Sequence, residues 1–227
     1  MNAALEAVLR HSAIWRGDRC AQASEDTIAT GFPALDAALP GGGWPRGVLT
    51  EILSEQEGIG ELRLLMPALA RLSDEAGWQT WIAPPHIPYA PALAAAEVEL
   101  KRLLVVTPKS TGDAWWAAEQ ALRSGASGAV LAWLSTPDER RLRRLQLAAE
   151  EGKGWGVLFR PARAAQERSP APLRLRLESA PNGLAVHILK RRGGVLDKPV
   201  MLDWREPRLQ ARPRTSLAPI PFRHGAA

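Results

Sequence analysis

Val48-Leu-Thr-Glu-Ile-Leu-Ser-Glu-Gln-Glu-Gly-Ile-Gly-Glu-Leu62 decides how this chain reads. Val48 to Leu53 is a short apolar run of strand length. Ser54 to Gly60 is a polar, glycine-bearing loop. Glu61 to Glu75 then places Leu62, Leu65, Met66, Leu69 and Leu72 on one helical face, with Gly77 as its stop. The unit is strand, loop, helix.

Downstream the unit repeats. Trp78–Ala83, Leu103–Val106, Ala129–Leu134 and Trp155–Phe159 read as strands, and Pro91–Leu100, Asp113–Arg123 and Pro137–Glu151 as the helices between them. Short apolar strands separated by helices predict an α/β fold with a mostly parallel sheet flanked by helices. Leu173–Glu178 and Leu184–Leu189 alternate around the turn Pro181-Asn-Gly183, and Val200–Trp204 follows. These predict an antiparallel C-terminal extension.

Upstream, Ala34–Leu39 reads as a short helix and Pro40–Gly47 as a turn. Asn2–Trp15 has an amphipathic stripe through Leu5, Val8 and Leu9. The expected organisation is an N-terminal helical arm and linker over 1–26, a core over 27–204, and a Pro/Arg-rich tail over 205–227 expected to be disordered.

The chain has 227 residues, 46% hydrophobic and 23% charged, enough for one core. Its net charge of +5 permits an acidic or nucleic-acid partner without requiring one. One cysteine excludes an internal disulfide, and no Cys/His cluster has metal-ligand spacing. No signal peptide or membrane-length apolar run is apparent, so a cytoplasmic location is expected.

A phosphate-binding loop at Ser54–Leu62 would need G-x-x-x-x-G-K-[ST]. Here Glu55 takes the first glycine position, Glu61 the lysine position and Leu62 the hydroxyl position, leaving Gly58 and Gly60 as vestiges. Glu55, Glu57 and Glu61 are expected to repel a triphosphate, each by about 1–4 kcal/mol. The histidines (His11, His86, His187, His224) are scattered, and no G-x-S-x-G elbow exists. Neither enzyme activity nor a cofactor or metal is expected.

Ile28 to Asp36, Gly42 to Ile52, Ala121 to Ala126 with the strand Ala129 to Leu134, and Leu184 to Arg192 together resemble a RecA-like core. On that resemblance the Walker B acid position holds Trp133. The water-activating glutamate falls near Pro85, and the glutamine switch at Arg160 or Pro161. The DNA-binding loops shrink to Ser135–Pro137 and about Pro161–Pro172. Size, degenerate loop and tail resemble the ImuA family, whose members are also labelled SulA-like.

The resemblance implies a non-catalytic scaffold of a damage-inducible mutagenic translesion-synthesis complex. The implied partners are an ImuB-like inactive Y-family polymerase relative, RecA and an error-prone replicative-type polymerase. The alternatives are a SulA-like inhibitor acting on the tubulin-like division protein, or a RecA-like DNA-binding protein. Candidate partner or DNA contacts are the strand residues Arg174, Arg176, Lys190, Arg191 and Arg192, with Leu217, Ile220 and Phe222 in the tail. Arg174 and Arg176 alternate with leucines, which predicts one basic sheet face. Arg140, Arg141, Arg143 and Arg144 read rather as a solvated helix face.

Overall fold

The computed structural model describes residues 26–134, 139–194 and 196–205. The expected arm helix, the Ser135–Pro137 loop, and Leu217, Ile220 and Phe222 lie outside them.

In chain order the elements are β1 (Thr27–Ile28), α1 (Pro33–Ala38), β2 (Trp44–Pro45), β3 (Leu49–Ser54), α2 (Glu61–Leu72), β4 (Trp78–Ile82), α3 (Ala90–Ala95) and β5 (Leu103–Val106). Then come α4 (Thr111–Arg123), β6 (Ser127–Trp133), α5 (Glu139–Gly152), β7 (Trp155–Pro161), β8 (Leu173–Ala180), β9 (Gly183–Lys190) and β10 (Val200–Asp203). β1 and β2 form a small antiparallel pair. The main sheet has eight strands in the order β10-β9-β8-β3-β7-β6-β4-β5.

The six strands from β8 to β5 are all parallel. β8 therefore corrects the expected extension: it pairs parallel to β3, and antiparallel pairing begins only at β9. The alternation of β8 reports a strand with one apolar face, not its direction.

Two apolar layers cover the sheet. α1, α2 and α3 pack on one face with Ile52, Trp81, Val157, Leu175 and Val186. α4 and α5 pack on the other with Leu49, Val130 and Leu158. α2 ends at Leu72, three residues before its expected limit. The Leu69 carbonyl there accepts from the Ser73 amide and hydroxyl and from Gln79 Nε2 at 2.7 Å, which terminates the turn. α3 is shorter than expected because Glu97 adopts a left-handed φ of 64°. Val98 N then donates to Leu93 O and Glu97 N to Ala94 O, a Schellman stop sealed by Leu93 against Val98.

Among the described residues no α-helix passes over the second face beside β8. The segment after β7 folds across it instead, through a 3-10 turn at Ala162–Gln166. It is fastened by charge. Glu51 of β3, fully buried, accepts from Arg160 Nη1 at 3.2 Å, Ser169 Oγ at 2.7 Å and Arg174 Nε at 2.7 Å. Arg174 also donates to the Ala164 and Glu167 carbonyls, at 2.7 and 3.1 Å, and Arg160 pairs with Glu167. A carboxylate away from water is tolerated only when paired and hydrogen-bonded in this way.

Arg174→Ala would remove one of the two cations on the buried Glu51 carboxylate and leave the Ala164 and Glu167 carbonyls without their donor. We expect a loss of about 3–5 kcal/mol in urea unfolding, against less than about 0.5 kcal/mol for the exposed Arg143→Ala.

Candidate functional site

In parallel sheets ligands gather where strands end and helices begin. Here that place is the loop Glu55–Gly60 between β3 and α2. Its glycines are retained for conformation, with φ of 77° at Gly58 and 118° at Gly60. Their amides face an anion, as amides at a helix N-terminus favour. The anion belongs to the chain. Glu61 Oε1 accepts from Gly58 N–H at 2.8 Å, and Oε2 from Gly60 N–H at 3.1 Å. Glu61 is buried, whereas Glu55 and Glu57 stand exposed, Glu57 at 3.7 Å from His86 Nε2. The expected trio of facing carboxylates is thus one inward group and two solvated ones.

Trp204, just after β10, covers the same loop. Its Cζ2 lies 2.7 Å from where a Cβ on Gly60 would sit. Arg63 stacks over the indole at 4.6 Å and Phe32 meets it edge-on at 5.9 Å. Leu62 packs into the first apolar layer. Trp133, at the end of β6, stacks on Phe159 with centroids 4.4 Å apart and lies 5.8 Å from Trp81. Carboxylate and indoles therefore fill the region around the strand-end loop. Among the described residues no group of three His, Cys, Asp or Glu could hold a metal, and no helix is long and apolar enough to cross a membrane.

The basic strand residues do not form the expected face. Arg174 is buried on Glu51, because β8 lies inside the sheet and the segment after β7 covers it. Arg176 pairs with Glu178 at 2.7 Å, and His187 Nε2 lies 3.1 Å from the same carboxylate. Lys190 donates to the Ser169 carbonyl, and burial together with the Arg174 charge holds its ammonium below its ordinary range. Arg191 donates to the Ala38 and Gly194 carbonyls. Arg192 is exposed. On α5, Arg144 pairs with Glu119, Arg143 with Glu139, and Arg141 lies over Trp115.

Exposed large apolar residues not anticipated from the sequence occur on and around β4 and β5. They are Trp78, Leu100, Leu104 and Val105, with Ile87 (95% exposed) and Tyr89 (72% exposed) on the β4–α3 loop. The signal was present in Ala83-Pro-Pro-His-Ile-Pro-Tyr-Ala-Pro91, where apolar side chains stand on a proline-stiffened loop that ordinarily carries polar ones.

These features define an α/β domain with a mostly parallel sheet, whose strand-end loop is closed by its own side chains. Residues 47–156 match the family model described as cell division inhibitor SulA. The chain is 32% identical over 123 residues to the cell division inhibitor SulA of Cronobacter sakazakii (strain ATCC BAA-894), covering 51% of this chain and 70% of that protein. It belongs to the SulA family.

The cell division inhibitor SulA of Edwardsiella piscicida is 37% identical over 98 residues, covering 43% of this chain and 58% of the relative. Protein ImuA of Caulobacter vibrioides (strain NA1000 / CB15N) is 29% identical over 137 residues, covering 58% of this chain and 56% of the relative. The chain thus spans less than two thirds of the length of these two relatives. The crystal structure of SulA from Pseudomonas aeruginosa is 33% identical and aligns with 50% of this chain and 97% of its own, with a TM-score of 0.43.

The contact of Trp204 with Gly60 is testable by a double-mutant cycle. Gly60→Ala should cost about 1–3 kcal/mol through its left-handed φ alone, plus the clash with the indole. In a Trp204→Ala background the clash vanishes, so urea melts should show non-additivity of about 0.5–3 kcal/mol.

Proposed function

We propose that this chain is a non-catalytic, cytoplasmic protein of the DNA-damage response that restrains cell division by binding the tubulin-like division protein. In this reading the fold is a RecA-type core kept for its surface. One juxtaposition carries it: the strand-end loop is shut by Glu61 and Trp204, while the adjoining β4–α3 loop holds Ile87 and Tyr89 bare. Both lie inside or against the segment that matches the family model, and the relatives named above as SulA are cell division inhibitors. Exposed aromatic and aliphatic groups on a stiff loop make good binding anchors, because little side-chain entropy is lost on docking.

A second reading has its own support. The ImuA alignment covers 58% of this chain, and β8 to β10 lie outside the segment matched by the SulA model. In that reading the chain is a scaffold for an ImuB-like protein, with RecA and an error-prone replicative-type polymerase as further partners.

Expression in rod-shaped bacteria separates the two. The first reading expects filamentous cells, and expects Tyr89→Ala with Ile87→Ala to restore division without lowering the melting temperature. Binding to the purified division protein should weaken by about 2–4 kcal/mol, the range for lost anchor residues. Normal division with a loss of damage-induced mutation on deletion would overturn the first reading in favour of the second.

A further inference from the structure

At the end of the sheet away from Glu61 lies a cleft of about 530 Å³. Its walls come from Val48, Lys153 and Pro172, which lead into β3, β7 and β8, and from the far end of β9. Arg46, Lys153, Arg191 and Arg192 line it, against the carboxylates of Asp26 and Glu150. We propose that this cleft binds the phosphodiester backbone of nucleic acid, independently of sequence. The inference does not rest on the function proposed above.

The cations are not equivalent. Arg46 is spent on Glu75, with Asp26 at 3.5 Å. Arg191 is aimed by two backbone carbonyls, Ala38 and Gly194, which fix its direction without neutralising it. Lys153 is exposed, and among the described residues its ammonium has no hydrogen bond or ion pair.

Its backbone is the more telling feature. Lys153 sits just past α5 at φ 60°, where helices ordinarily place glycine or asparagine. The turn is packed closely on neighbouring backbone: a Cβ on Gly152 would lie 1.8 Å from Leu122 O, and one on Gly154 2.5 Å from Ser127 O. Gly47 runs past the lysine stem, with a Cβ there only 3.6 Å from Lys153 Cδ. This turn fixes the start of the lysine stem at the cleft rim, with its ammonium unpaired among the described residues.

The rest of the lining selects the kind of anion. It contains no aromatic residue, so nothing is offered to stack on a base. Asp26 and Glu150 disfavour a dense triphosphate. Cations spaced along the α5–β7 turn and the end of β9 suit single phosphates in a row, the contacts that position a protein without reading sequence. The chain's net charge of +5 adds general attraction.

The test is fluorescence anisotropy of a labelled mixed-sequence single-stranded oligonucleotide with the full chain across a salt series. Lys153→Gly removes the cation while relieving the left-handed backbone, so its melting temperature should not fall. Its affinity at low salt should drop by about 3–10-fold, and the slope of log K against log salt should shrink by about one. Arg143→Gln removes the same charge from the outer surface of α5 and should bind as the unmodified chain does. Equal losses in both variants, or no loss in Lys153→Gly, would overturn the proposal. So would binding of inorganic phosphate or ATP at this cleft with no oligonucleotide binding.

Discussion

Two hydrogen bonds from Gly58 and Gly60 to the Glu61 carboxylate set the character of this molecule. A loop that turns its amides outward between a strand and a helix needs an anion. Most of the stabilisation such amides can give is available to any negative group that reaches them. Here the group is covalently part of the chain and is present at effectively permanent occupancy. Trp204 then covers Gly60, and Arg63 and Phe32 hold the indole in place. A free nucleotide would have to displace a carboxylate and an aromatic ring that are already tethered.

Glu51 plays the matching part on the opposite sheet face. A central-strand glutamate would be costly if left alone, but it gathers Arg160, Arg174 and Ser169 around it. Those contacts fold the segment after β7 onto β8 in place of a helix. Arg160, which aligned with a switch position in the RecA resemblance, is thereby a structural cation. The two buried glutamates, Glu51 within β3 and Glu61 at the start of α2, both act as internal ties.

The layered α/β order was legible because strand and helix periods alternate cleanly from Val48 to Phe159. The end of α4 at Arg123 was legible, with Gly125 behind it, whereas α2 stops at Leu72, short of the limit that Gly77 suggested. One end was hidden where an unlikely residue takes the left-handed position, at Glu97. The direction of β8 was hidden because alternation reports which face is apolar and not which neighbour it joins. The acidic, glycine-bearing loop before α2 was legible from Ser54 to Glu61, but its closure by Trp204 joins residues far apart in sequence, and no local pattern encodes that contact. For the same reason Arg174 looked like a surface cation until β3 placed Glu51 opposite it.

Amide NMR of the isotopically labelled chain, titrated with ATP and magnesium, tests the closed loop most directly. The account predicts that the Gly58 and Gly60 resonances stay where they are at millimolar nucleotide. Saturable shifts of those two amides at micromolar nucleotide would show the loop to be open to phosphate and would contradict it.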